Sequence, residues 1–142
     1  MNARYILLTD DAYIGENGKL YAEGIFEEIY NNKFPVVHKR LVIAMSLEGT
    51  KKEVGKHELK INLHDWSNKT ILSVPIVSFE LGGEKQTGPV YRAGIIATLR
   101  NIHFKKPGEY RFSVLIDGIF ITGLAFTVMK VQIIDGNESA IA

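Results

Sequence analysis

The apolar positions of this chain recur at every second residue. In "RLVIAMSLE" Leu41, Ile43, Met45 and Leu47 share one face, and in "HELKINLHD" Leu59, Ile61 and Leu63 alternate with Lys60, Asn62 and His64. A period of two places successive side chains on opposite sides of an extended backbone, so these segments are predicted to be half-buried strands. Between such runs lie turn clusters: "GENGK" at 15–19, "EGTKKEVGK" at 48–56, "WSNKT" at 66–70, "GGEKQTGP" at 82–89, "KKPGE" at 105–109 and "DG" at 117–118. The pattern predicts strands near 4–12, 19–28, 39–48, 57–65, 70–81, 90–101, 109–116 and 119–128. Many short, evenly spaced strands with turn signals between them indicate an all-β sandwich or barrel. One segment departs from this period. In "GIFEEIYNN" Phe26, Ile29 and Tyr30 fall at helical spacing, so residues 25–32 read either as strand or as a helical turn.

The stretch "PGEYRFSVLIDG" at 107–118 narrows the choice. Pro107 and Gly108 fit a turn entering a strand, in which Tyr110, Phe112 and Val114 share one face and Glu109, Arg111 and Ser113 the other. An acid, a base and a serine on alternate positions are therefore surface residues. Tyr110 follows Gly108 by two at the start of the penultimate predicted strand, as in the tyrosine corner of immunoglobulin-like sandwiches, with Lys106 where aspartate is usual. The expected fold is an immunoglobulin-like antiparallel β-sandwich of about seven to nine strands.

The turn at Asp117-Gly118 decides which residues of the last strand face inward. A two-residue loop pairs Ile116 with Ile119 and buries Ile119 and Ile121. A three-residue loop starting at Ile116 pairs Val114 with Phe120 and Tyr110 with Leu124, burying the larger side chains, each worth roughly 1.5–3 kcal/mol. The second is expected. It leaves Leu115, Ile119 and Ile121 beside Arg111 as an apolar patch facing outward, where a protein partner or a second copy would bind.

Composition adds limits. The length of 142 residues suits one domain with its own core, over residues 1–130, followed by a partly flexible extension at 131–142. Hydrophobic residues make up 46% and charged residues 23%, which excludes a disordered chain. Seventeen basic against sixteen acidic residues leave a net charge of +1, giving no bulk attraction to nucleic acid or an anionic membrane. The basic doublets Lys39-Arg40, Lys51-Lys52 and Lys105-Lys106 read as solvated charge beside turns and strand ends. There is no cysteine, hence no disulfide, thiolate ligand or cysteine nucleophile, which suits a reducing compartment. Neither a signal-peptide core nor a membrane-length apolar run is present, so a cytoplasmic protein is expected.

Candidate chemistry is sparse. Asp10 and Asp11 are adjacent and point to opposite faces of a strand, so they cannot act on one atom. His38, His57, His64 and His103 form no metal-like pair by spacing. No nucleophile elbow, P-loop or dinucleotide fingerprint occurs. No catalytic residue, metal or cofactor is assigned. The sole tryptophan, Trp66, stands at a strand end in "NLHDW", and the 82–89 loop carrying Glu84, Lys85 and Gln86 is longer than a hairpin needs. Loops at a sandwich end are where ligands bind, so Trp66 with Glu84, Lys85 and Gln86 forms a candidate small-ligand or carbohydrate site.

The order "RYILLTDDA", a hairpin at "NGKL", then "GIF", "FPVVHKRLVIAMSLEG" and "PGEYRFSVLIDG" resembles a family of short bacterial proteins known only as a domain of unknown function. The likeness spans about residues 3–129. It implies an immunoglobulin-like β-sandwich and brings no activity or catalytic residue. The expected role is a non-enzymatic binding or assembly module. The alternatives are the small-ligand site at Trp66 and a hydrolase assembled from dispersed residues.

Overall fold

The computed structural model describes residues 1–83, 87–134 and 137–141. Among them are eleven strands: β1 (Asn2–Ile14), β2 (Leu20–Ile25), β3 (Glu28–Asn31), β4 (Val36–Gly49), β5 (Gly55–His64), β6 (Thr70–Ser73), β7 (Val77–Leu81), β8 (Tyr91–Phe104), β9 (Gly108–Ile116), β10 (Ile119–Ile134) and β11 (Asn137–Ile141). One sheet has the order β2-β1-β4-β8. The other runs β11-β10-β9-β5-β6, with β3 joined to β10 and β7 to β5. The fold is the all-β sandwich that the alternation predicts, with more strands than expected and a wider range of lengths, from four to sixteen residues. Residues 70–81 break into β6 and β7 around Pro75, which has no N–H to give a ladder. The ambiguous segment 25–32 contains strand: β3 lies parallel to β10, with Glu28 opposite Thr127, and Ile29 is buried. Past residue 130 the chain completes β10, and β11 pairs back along it.

The core lies between the sheets. Leu41, Ile43, Met45 and Leu47 of β4 meet Leu59, Ile61 and Leu63 of β5 and Tyr110, Phe112 and Val114 of β9. These are the inward residues that the period of two selects. The opposite face of β4 is also closed. Val42 and Ala44 have no exposed surface because β1 leaves β4 after Thr9, and its hairpin with β2 crosses the outer side of the sheet. There Ala12, Leu20 and Ala22 pack on Val42, Ala44 and Ile96, and Ile14 fills the space above Gly94. Arg40 holds the departing strand, donating to the Asp10 carbonyl at 2.7 Å and to Asp11 Oδ1 at 3.1 Å.

The β9–β10 hairpin corrects one expectation. Asp117 and Gly118 form a two-residue loop, pairing Ile116 with Ile119. Both have positive φ, 51° and 81°, the conformation whose twist matches two antiparallel strands. Asp117 is also bound to β5: its N–H donates to the Glu58 carbonyl, and its Oδ1 accepts the Glu58 N–H at 2.9 Å. The larger residues are nevertheless buried further along, because Ile121 is an extra residue in the ladder. Phe120 pairs with Leu115, and Thr122 with Val114. This bulge reverses the parity, so Phe126 and Val128 enter the core while Phe120 stays outside. Loop length alone does not fix which residues of β10 face inward.

Candidate functional site

The turn from β5 to β6 displays Trp66 by a local mechanism. The Asp65 carboxylate accepts from the Ser67 N–H, the Ser67 hydroxyl and the Lys69 N–H, at 2.9, 2.7 and 3.0 Å. These donors, the Ser67 hydroxyl first, hold its pKa below the usual carboxylate value. Asn68 takes a positive φ of 65°, which closes the turn, and its Oδ1 accepts from Arg111 at 3.1 Å. Trp66 at the apex is 53% exposed. Its six-membered ring occupies the space that a Cβ on Gly108 would need, with Cε3 at 3.0 Å, and it meets the Tyr110 ring edge-on at 5.8 Å.

Tyr110 makes the corner that its spacing predicts. Its ring is buried among Phe104 and Phe126, and its hydroxyl donates to the Lys106 carbonyl at 2.6 Å. Burial raises the phenol pKa. The same bond pins the β8–β9 turn, so Lys105 and Lys106 sit beside Trp66. A cleft of about 450 Å³ results at this end of the sandwich. It lies where the edge strands β8 and β6 of the two sheets come together. Trp66, Tyr110 and Ile71 give it apolar surface, and Lys69, Lys105, Lys106 and His103 give it cationic and polar groups. Its size is that of a small-molecule site.

The other predicted site residues are distributed differently. Glu84, Lys85 and Gln86 lie outside the described residues. Their neighbour Gly82 abuts Val54 and Tyr91, and Leu81 pairs with Gly55 at the start of β5, whereas Trp66 follows its end. Ten strand residues separate the Gly82 end of that connection from Trp66, about 30 Å. Of the expected apolar patch, Ile119 is 66% exposed and Leu115 half-buried on the outer face. Ile121 instead packs against the core as the bulge residue. Arg111 lies four residues along β9 from Leu115, held by Asn68. The residue that sequence reasoning left out is Phe120, 61% exposed and beside Leu115, with its ring over Gly123. The sequence signal for it was faint, since one bulge decides its side.

His57 is held at both ring nitrogens. Nδ1 lies 2.6 Å from Asp117 Oδ2 and Nε2 2.5 Å from the Glu53 carbonyl. Both neighbours accept hydrogen bonds, so the geometry favours hydrogen on both ring nitrogens. The Asp117 bond, then the Glu53 carbonyl, raise its pKa. Neither nitrogen is free to take a proton from a substrate. Among the described residues no three histidine, aspartate or glutamate side chains cluster as a metal site would require.

Residues 4–129 match the model of a family of unknown function, DUF6941. The chain belongs to that family. No curated protein matches. Among solved structures, this DUF6941 chain is similar to the Pseudomonas fluorescens alkylpurine DNA glycosylase AlkC bound to DNA containing an abasic site analog. The identity is 12% and the TM-score 0.44, over 87% of this chain and 30% of that one. The DUF6941 chain thus spans less than a third of that protein's length.

Proposed function

We propose that the protein is a binding module without chemistry of its own, and that it receives a small ligand in the Trp66 cleft. The observation that carries this reading is the half-exposed tryptophan standing in a cleft of about 450 Å³ built by the β5–β6 and β8–β9 turns and the strand residues beside them. Aromatic surface beside convergent polar groups is the usual make-up of such a site. The strand orders β1-β4-β8 and β10-β9-β5-β6, with Tyr110 at the corner, support an immunoglobulin-like assignment. Among the described residues no helix is long and apolar enough to cross a membrane. The cysteine-free sequence supports placing the protein in the cytoplasm.

The test is a thermal-shift screen of metabolites, followed by calorimetry on the native protein and on Trp66→Leu. A ligand whose affinity falls at least about tenfold in the variant, the loss of one stacking contact, supports the cleft. A ligand bound equally well by a folded Trp66→Leu protein removes the function from it.

A second reading, assembly with a protein partner or another copy, is favoured by the exposed Phe120 beside Leu115 and by the exposed Ile119 at the start of the same strand. Light scattering on the native protein and on Ile119→Lys/Phe120→Lys checks it. A larger species that the double variant breaks to monomers supports assembly; a native protein that is monomeric and captures no partner that the double variant loses counts against it.

A further inference from the structure

The Trp66 cleft carries a charge that the chain as a whole lacks. Three lysines against one aspartate give its lining an excess of two positive charges, whereas the entire sequence has an excess of one. The single acid turns one oxygen away to its own turn: Asp65 Oδ1 accepts three hydrogen bonds. Among the described residues, no carboxylate stands within ion-pair distance of the ammonium groups of Lys69, Lys105 or Lys106. The Tyr110 hydroxyl is likewise spent, donating to the Lys106 carbonyl. The groups left to meet a ligand are therefore the indole of Trp66, the three ammonium groups and the His103 ring.

These two kinds of surface call for two kinds of ligand surface. A flat ring stacks on an indole with little demand on its identity, and an anionic group takes charge-assisted hydrogen bonds from lysine. Resting on the cleft reading above, we propose that the site binds a small organic anion in which a phosphate or carboxylate is joined to a planar ring. The ring lies against Trp66, and the anion faces Lys105 and Lys106 with Lys69 across the cleft. A neutral sugar would leave the lysines without partners, and inorganic phosphate would leave the indole bare.

Trp66 is the only tryptophan in the chain, so tryptophan emission, excited selectively, reports on this cleft alone. Titrations would use two ring-bearing anions, AMP and phenyl phosphate, their neutral counterparts adenosine and phenol, and inorganic phosphate, at low and at physiological salt. At least one ring-bearing anion is expected to change the emission saturably and to bind at least about tenfold tighter than its neutral counterpart and than inorganic phosphate, the equivalent of one charge-assisted hydrogen bond. Lys105→Glu/Lys106→Glu should abolish that preference while leaving the weak binding of the neutral ring, and salt should weaken only the anion. Calorimetry on the same pairs excludes a quenching artefact. If a neutral ring binds as tightly as its anion, or the charge reversal leaves the preference intact, the anion class is wrong while the cleft reading stands. If the metabolite screen and all five probes leave both emission and calorimetry unchanged, both fall.

Discussion

The imidazole of His57 on β5 and the carboxylate of Asp117 in the β9–β10 turn meet at 2.6 Å, joining a strand and a turn separated by sixty positions in sequence. The Phe79 ring stacks on the imidazole at 5.6 Å. This pair makes the hairpin turn pH-sensitive. The folded pKa of His57 is raised, so its contribution is complete below the unfolded value of about 6.5 and is lost as pH rises through the folded one. Asp117 works in the opposite direction. Its folded pKa is lowered, first by the Glu58 N–H and then by His57, so its contribution is present above the unfolded value of about 3.9 and is lost as pH falls through the folded one. Urea midpoints across pH 3 to 9 should therefore show a stability decline on the alkaline side that His57→Gln removes. An unchanged alkaline slope in that variant would sink the assignment.

Tyr110→Phe keeps the ring and deletes the bond to the Lys106 carbonyl. The cost should be about 1 kcal/mol, the net value of one hydrogen bond. Its second effect separates the corner from ordinary packing. Freed from this anchor, the Lys105-Lys106 turn should show faster backbone dynamics by NMR relaxation while the β9 amides stay unaltered.

Gly108→Ala tests how the indole is seated. Gly108 has φ +156°, and an added Cβ would come within 3.0 Å of Trp66 Cε3. Substitution should cost about 1 kcal/mol or more and shift the Trp66 emission to the red as the ring is pushed into water. A stable variant with native emission would mean that the indole rests elsewhere.

The bulge at Ile121 sets two phenylalanines of one strand against each other. Phe126 is 2% exposed and packs on Tyr110 and Phe112, so Phe126→Ala should cost about 3–5 kcal/mol. Phe120→Ala on the open face should change stability by no more than about 0.5 kcal/mol. Denaturation of the two variants side by side measures the parity reversal directly. Equal losses would contradict it.

Much of the sandwich can be read from the chain. The inward residues of β4, β5 and β9 follow from alternation, and the corner at Tyr110 follows from Pro107, Gly108 and the spacing. What escaped were features in which non-neighbouring segments choose between equal local options. The bulge at Ile121 costs nothing visible in the sequence, yet it moves Phe120 outside and draws Ile121 inward. Val42 and Ala44 make "LVIAM" a continuous apolar run, which signals burial on both faces but not what covers the second one. Of the cleft, Trp66 was legible as a candidate at the end of β5. Lys105 and Lys106 read as solvated charge, because only the fold of Tyr110 brings their turn to Trp66.

The β1–β2 hairpin is attached to the sandwich mainly through small side chains. Ala12 and Ala22 meet Ala44 and Val42, with Leu20 and Ile14 as the larger contacts, while Tyr13 and Tyr21 stack on each other at 5.0 Å. Contacts of this size bury little area, so the flap should separate from β4 and β8 at a lower free energy than the core needs to unfold. In native-state hydrogen exchange the amides of residues 12–22 should then exchange together as one subglobal unit, well before those of β4, β5 and β9, so that the molecule carries a partly open form in equilibrium with the closed one.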